Sequence, residues 1–219
     1  MCASGGRNLR ETAARYGAGE GRAVPGRMTF EEFLAWADED TWAEWVDGEV
    51  VPLTPASTRH QLVSRFLSDL VGNFVLLRGL GVVLPPPYLV KLPPPIGRGR
   101  EPDLVFVAAD RLGLLKATYC DGAPDLVVEV TAPESFARDR GQKFVEYEAA
   151  GVKEYWLVDP DRRQAEFYVL GEDGRYHPVP AEEGVYRSRV LPGLALKLEW
   201  LWQDPPPAGV AALREMGVI

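Results

Sequence analysis

The sequence predicts an α/β domain with an added antiparallel meander, and three observations carry that prediction. Apolar residues recur at helical spacing over 57–78 and again over 136–150. Short apolar runs of strand length stand at 88–92, 103–107, 126–131 and 154–158. Beyond them, segments with alternating polarity are separated by turn residues and read as a meander flanking the main sheet.

The elements follow in order from local signals. Thr29, with Glu32 three residues on, has the spacing of a capping box and predicts a short helix over 29–38. Residues 44–51 read as two strands joined by Asp47-Gly48, a strong hairpin signal, and Pro52 and Pro55 end them. From Ser57 onward, Leu62, Phe66, Leu67, Leu70, Phe74 and Leu77 share one helix face until Gly79 and Gly81 stop it. The Pro, Gly and Arg-rich stretch 93–100 reads as a mobile loop, and 112–115 as a short helix. The second helix closes at Gly151, a residue suited to the left-handed position after a helix. The meander comprises 166–170, 175–179 and 185–190, with a turn at Glu172-Asp173-Gly174. Residues 1–27, rich in Gly, Ala and Arg, are expected to be a disordered extension, with Met28 a candidate start. Residues 28–203 are expected to form one domain and 204–219 a peripheral tail.

Composition narrows the classes. A chain of 219 residues with 46 % hydrophobic content builds an ordinary core without a staple. Its two cysteines, Cys2 and Cys120, suggest no disulfide framework and a reducing, cytoplasmic setting. No apolar stretch approaches the ~20 residues a bilayer requires, so no membrane partner is expected. A net charge of −8 argues against a general nucleic-acid coat protein but leaves room for an enzyme with a local basic rim.

Three acids stand against apolar neighbours: Asp103 opens a strand, Glu129 lies inside one, and Glu44 lies between Trp42 and Trp45. An ionised carboxylate in such a place needs a cation or a metal beside it. Asp103 and Asp125 both follow a proline and compete for the role of partner to Glu129. Asp125 and Glu129 share one strand and sit roughly 13 Å apart, at about 3.3 Å per residue. Ligands of one ion bring their oxygens within about 2–2.6 Å of it, which favours Asp103 on a neighbouring strand. Lys143 sits on the helix that follows the Glu129 strand and shares a face with Tyr147, with Asp139, Gln142 and Glu146 close by. An ammonium there would orient a water beside two carboxylates and a metal.

In this order, Glu44, Pro102-Asp103, Glu129 and Lys143 resemble the PD-(D/E)xK nuclease superfamily, and more narrowly the bacterial Uma family of restriction endonuclease-like proteins. The resembling stretches run from about Thr29 to Val179. They include 44–49, Thr54-Pro55 with His60, Glu101-Pro102-Asp103-Leu104, 124–130, Asp139 with Lys143 and Tyr147, and 151–160. The resemblance implies a mixed β-sheet flanked by helices. It also implies Mg²⁺ or Mn²⁺ held by Asp103 and Glu129, helped by Glu44 and the Val130 carbonyl. The superfamily's lysine normally stands two residues after the glutamate, where this chain has Thr131, so Lys143 substitutes from the helix. Ala132-Pro133 also stands where a serine is typical.

The expected function is therefore a metal-dependent endonuclease acting on DNA, with Asp103, Glu129, Lys143 and Glu44 as catalytic groups. His60, Arg100 and Tyr147 are the expected substrate contacts, and Arg98, Arg138 and Arg140 are candidates for a phosphate rim. A homodimer would suit a double-strand cut. The alternative is a catalytically inactive module of the same fold, which Thr131 and the acidic charge favour. With His177 the only other histidine, a zinc site is not expected. Trp36, Trp42 and Trp45 read as core or interface residues rather than a base-stacking platform.

Overall fold

The computed structural model describes residues 26–38, 41–131 and 138–219. Residues 1–25 of the expected extension, and the start of the helix expected from 136, lie outside that set. Helix α1 (Phe30–Trp36) begins with the capping box complete: the Thr29 hydroxyl accepts from Glu32 N, and the Glu32 carboxylate accepts from Thr29 N at 2.7 Å. Strands β1 (Ala43–Val46) and β2 (Glu49–Pro52) meet at Asp47 and Gly48, whose φ values of 52° and 86° make the turn that matches hairpin twist. Helix α2 (Thr58–Arg78) is capped by the Ser57 hydroxyl and ends at Gly79 in the left-handed conformation. Then come β3 (Gly81–Leu84), β4 (Leu89–Lys91), β5 (Gly99–Arg100), β6 (Leu104–Ala108), a 3₁₀ turn (Ala109–Leu114), β7 (Tyr119–Asp121) and β8 (Leu126–Val130). A π-helical turn (Arg138–Lys143) runs into α3 (Phe144–Ala150), which closes at Gly151 with φ 88°. The chain finishes with β9 (Glu154–Asp159), β10 (Gln164–Leu170), β11 (Tyr176–Pro178), β12 (Val185–Arg187), β13 (Ala195–Lys197), α4 (Leu198–Trp202) and α5 (Gly209–Glu215).

The central sheet has six strands in the order β11-β10-β9-β8-β6-β3. Its pairs are antiparallel except β8 with β9, which are parallel and joined through α3 as a crossover. Alternation sends Leu104, Phe106, Leu126, Val128, Trp156 and Val158 to one face, where they pack with Phe66, Leu70 and Phe74 of α2. Val105, Val107, Val127, Tyr155 and Leu157 face the other way, against Tyr147 and Val152 and against Val90 and Leu92. A second sheet, β2-β1-β5-β4-β7, lies beside this second face and carries α1 on its own small core of Met28, Phe30, Phe33 and Ala43. The architecture is thus the expected mixed sheet flanked by helices.

Register places the acids. Leu104 pairs with Val128 in the antiparallel β6–β8 ladder, so one step further Asp103 stands opposite Glu129. Asp125 lies at the other end of β8, where Ala108 N, Arg111 and Lys153 hold its carboxylate at 2.7–2.8 Å. It serves as a structural clamp, well separated from Glu129.

Several expectations need correction. The stretch 93–100 is not wholly loop: Gly99 and Arg100 form β5, and Arg100 is 1 % exposed. Strands β3, β7 and β13 give short, weakly alternating sequences and carry no hairpin signal, so pattern alone passes over them. The antiparallel meander divides: β10 and β11 continue the main sheet at its edge, while β12 pairs with β13 in a separate ribbon. Leu77 on the expected inner face of α2 is exposed, and Val63, Val71 and Val75 are buried in its place. The segment 204–219 is not peripheral: Ala212 and Leu213 of α5 join the core beneath α2. Gly209 makes that approach possible, since a Cβ there would lie 2.9 Å from the Asp69 backbone. Leu213→Ala should therefore lower stability by about 2–5 kcal/mol in denaturant unfolding, the usual cost of a buried leucine. A peripheral tail would give a change near zero.

Candidate active site

Lys143 is the centre around which the acids gather. The π-helical turn widens the backbone so that Asp139 and Lys143 both point inward, and each is about 2 % exposed. The ammonium donates to both oxygens of Glu129 at 2.9 Å. It also lies 3.3 Å from Glu44 Oε1 and 3.4 Å from Asp139 Oδ1. Tyr147, one turn along α3, donates its hydroxyl to Glu129 Oε1 at 2.8 Å. Asp139 Oδ1 is buried without a hydrogen bond among the described residues, and so are Arg138 Nε and the Thr131 hydroxyl.

Glu44 links this cluster to a second row of charges. Its Oε2 accepts from Arg100 at 2.8 Å and its Oε1 from Glu101 N at 3.2 Å. Arg100 in turn grips Glu146 with two bonds, at 2.7 and 2.8 Å. Arg98 bonds to Glu146 as well and reaches Asp47 in the hairpin turn at 3.0 Å. Charges of opposite sign thus alternate from the hairpin tip to Lys143.

Asp103 lies on the other side. Its Oδ2 accepts from Val130 N at 2.8 Å, while Oδ1 faces His60 Nε2 at 3.3 Å and the Ser64 hydroxyl at 3.5 Å. His60 and Ser64 are one turn apart on α2, with His60 Nδ1 3.4 Å from the Ser64 hydroxyl. Together these contacts tie the start of α2 to the ends of β6 and β8.

The charge states follow from this packing. Burial opposes the ionised form of Glu44, but Lys143 and Arg100 override it and hold the carboxyl at about 2. Burial pushes Glu129 up to about 8 against the pull of Lys143, with the charges of Asp139 and Asp103 adding to the rise. Burial works against a charged Lys143 too, yet Glu129, Glu44 and Asp139 raise its value well above the ordinary one. The ammonium is therefore held charged, and the excess negative charge belongs to the acid cluster as a whole. Glu101, half-buried and close to Glu44, is pushed up to about 7 by desolvation and the Glu44 charge. Burial lowers His60, but its bond to Asp103 reverses the direction and raises it.

These groups form the floor of a cleft of about 870 Å³. Asp103, Glu129, Lys143 and His60 all line it, with Asp139, Glu101 and Arg138. Arg100 and Tyr147, expected to touch substrate, do not reach it: they are 1 % and 0 % exposed, with their polar atoms committed to Glu44, Glu146 and Glu129. Glu44 is likewise 0 % exposed and engaged at both oxygens, so it positions Lys143 and is not free to ligate a metal. Arg98 continues the same row of charges toward the surface, and Arg140 pairs with Glu166 at 3.3 Å outside the cleft. Sequence reasoning placed Asp139 and Glu146 only as neighbours of Lys143 and passed over Ser64 and Glu101. Helical spacing from Lys143 and His60 was the one signal that could have promoted Asp139 and Ser64.

Among the described residues no three His, Cys, Asp or Glu side chains form a ready cage for a metal ion. Mg²⁺ needs less, because it keeps several waters and takes one or two carboxylates with substrate phosphates. Asp103 and Glu129 stand opposite each other on adjacent strands beside the Val130 carbonyl, and Glu129 Oε2 accepts only from Lys143 among the described contacts. That donor set, hard oxygens in an under-neutralised acid cluster, fits a divalent cation.

No helix among the described residues is long and apolar enough to cross a membrane. Cys120 is a free, buried thiol. The fold is shared with a protein from Anabaena variabilis whose crystal structure is described as a "putative nuclease belonging to DUF820". The two chains superpose with a TM-score of 0.67 at 15 % identity, over 80 % of this chain and 97 % of the other. No curated protein matches the chain. The profile of the Uma2 family, described as "Putative restriction endonuclease", matches residues 30–199, and the chain belongs to that family.

Proposed function

We propose that this chain is a metal-dependent endonuclease hydrolysing phosphodiester bonds in DNA. The observation that carries the reading is the Lys143 ammonium on both oxygens of Glu129 at the floor of a cleft, with Asp103 across from it on the adjacent strand. The family's description as a restriction endonuclease supports DNA as the polymer.

In this reading Asp103, Glu129 and the Val130 carbonyl would hold Mg²⁺ or Mn²⁺. When bound, the ion polarises the phosphate and lowers the pKa of a water. Lys143 orients that water and offsets charge on the phosphate, while Tyr147 fixes the Glu129 carboxylate and Glu44 and Asp139 fix Lys143. The water oxygen bonds to phosphorus as the bond from phosphorus to the sugar oxygen breaks. The products are a phosphate monoester and a hydroxyl: of the water's two protons, one reaches the departing sugar oxygen by way of solvent in the cleft and the other stays on the monoester or passes to solvent.

A second reading, a binding module that kept the fold without its chemistry, draws on one feature. Glu129 already accepts three bonds from Lys143 and Tyr147. Cleavage assays separate the two. With Mn²⁺ or Mg²⁺ and circular DNA, single-stranded and plasmid, the wild type should cleave and EDTA should stop it. Asp103→Asn should lower the rate by roughly 10²-fold or more. Equal cleavage by Asp103→Asn and wild type would sink the nuclease reading.

A pH dependence follows from Glu129. Its carboxyl rises from 4.5 to about 8 on folding, so the metal-free protein takes up a proton between those values. Stability from this group is present at low pH and is lost as pH rises through about 8. A divalent cation at Glu129 removes that loss. The rise in melting temperature on adding Mn²⁺ should thus be larger at pH 8.5 than at pH 6, and absent in Glu129→Gln.

A further inference from the structure

We infer that the cleft accepts an unpaired strand of DNA, with Trp42 as the platform on which a base beside the scissile phosphate stacks. The inference rests on the proposed nuclease reading for the role of the floor, and on three observations for the substrate.

The first is depth. The side chains of Glu129 and Lys143 are 4 % and 3 % exposed, and Asp103 only 16 %. Duplex DNA is a stiff rod that resists bending over tens of base pairs. Pressing a phosphodiester of an intact duplex against groups so nearly closed to solvent requires costly bending or local unpairing, whereas a single strand folds its backbone into the cleft without that cost.

The second is the wall. Trp42 lines the cleft and is 42 % exposed, unlike Trp36 and Trp45, which pack against the α1 core as the sequence suggested. The backbone at Trp42 is held by Leu53 N, which donates to its carbonyl at 3.0 Å, and the half-buried Glu101 lines the same cleft. Pro52, Pro55 and the run Pro85-Pro86-Pro87 complete the rim. Prolines present rigid apolar surface and no backbone donor, which suits the face of a base and offers nothing to its hydrogen-bonding edge. Stacking of a base on an aromatic side chain contributes about 1–3 kcal/mol and tolerates any sequence.

The third is charge. Among the described lining residues the arginines and lysine are Arg65, Arg138 and Lys143, and the whole chain carries −8. Duplex binding draws its affinity from many phosphate contacts. Here the cations are few and the floor is acidic, so stacking must supply what charge does not.

The test uses a fluorescein-labelled thymidylate 12-mer and a hairpin duplex of similar length, followed by anisotropy in Ca²⁺ and again in EDTA. The single strand should bind at least about tenfold more tightly than the duplex. Trp42→Ala should weaken single-strand binding about tenfold or more, since one decade is 1.4 kcal/mol. Trp42→Phe should restore most of it, and the melting temperature of each variant shows that it has folded. Equal affinity for duplex and single strand, no binding of either, or unchanged binding by folded Trp42→Ala overturns the inference. Trp42-dependent binding without any cleavage in Mg²⁺ or Mn²⁺ supports the inference and overturns the nuclease reading alone.

Discussion

Burying one ammonium among three carboxylates is the constraint on which the rest of the site depends. Each ion taken from water costs several kcal/mol, and mutual attraction offsets this only when geometry and additional hydrogen bonds are good. Lys143 meets that condition with Glu129 on two bonds and Glu44 and Asp139 near by. One positive charge does not cancel three negative ones, however. Arg100 takes up part of the remainder at Glu44, and Glu146 then balances Arg100. The row of alternating charges out to Asp47 follows from the need to leave no buried ion alone.

That need explains features of the fold that otherwise look incidental. The stretch 93–100 must enter the second sheet as β5, because Arg100 has to reach Glu44 on β1 and Glu146 on α3 together. The hairpin turn of β1 and β2 is fastened at its tip by Arg98 on Asp47, so the strand bearing Glu44 is held from both ends. A similar solution appears away from the cleft at Glu154, wholly buried and without a cation partner among the described residues. Trp156, Tyr186, Ser188 and the Arg189 and Val190 N–H groups surround it at 2.6–3.1 Å. There, neutral donors replace the ion pairs and staple the segment after β12 to the central sheet.

What was legible in the sequence is what locality and period encode. The capping box at Thr29, the Asp47-Gly48 hairpin and the left-handed ends at Gly79 and Gly151 all stand where their residues suggest. Asp103 and Glu129 stood out because a carboxylate in an apolar strand is conspicuous, and strand geometry was enough to separate Asp103 from Asp125. Arg100 and Tyr147 were misplaced because the same logic was not extended to their partners. Arg100 lies 56 residues from Glu44 and 46 from Glu146, so no local window reveals that it is saturated. Trp42 escaped for the opposite reason: its neighbours Trp36 and Trp45 do pack inward, and nothing in the sequence marks the one that turns to the cleft.

The same burial limits what Lys143 can do. A lysine used as a base must lose its proton near neutral pH, which requires burial without compensation. Here Glu129, Glu44 and Asp139 outweigh burial and raise the value well above the ordinary one. Lys143 therefore stays an ammonium, and its available chemistry is electrostatic: orienting a water through its oxygen and offsetting charge on a phosphate. Any proton must be taken by some other group or by solvent. The acids that crowd Lys143 hold it in place, keep it charged, and thereby exclude it from proton abstraction.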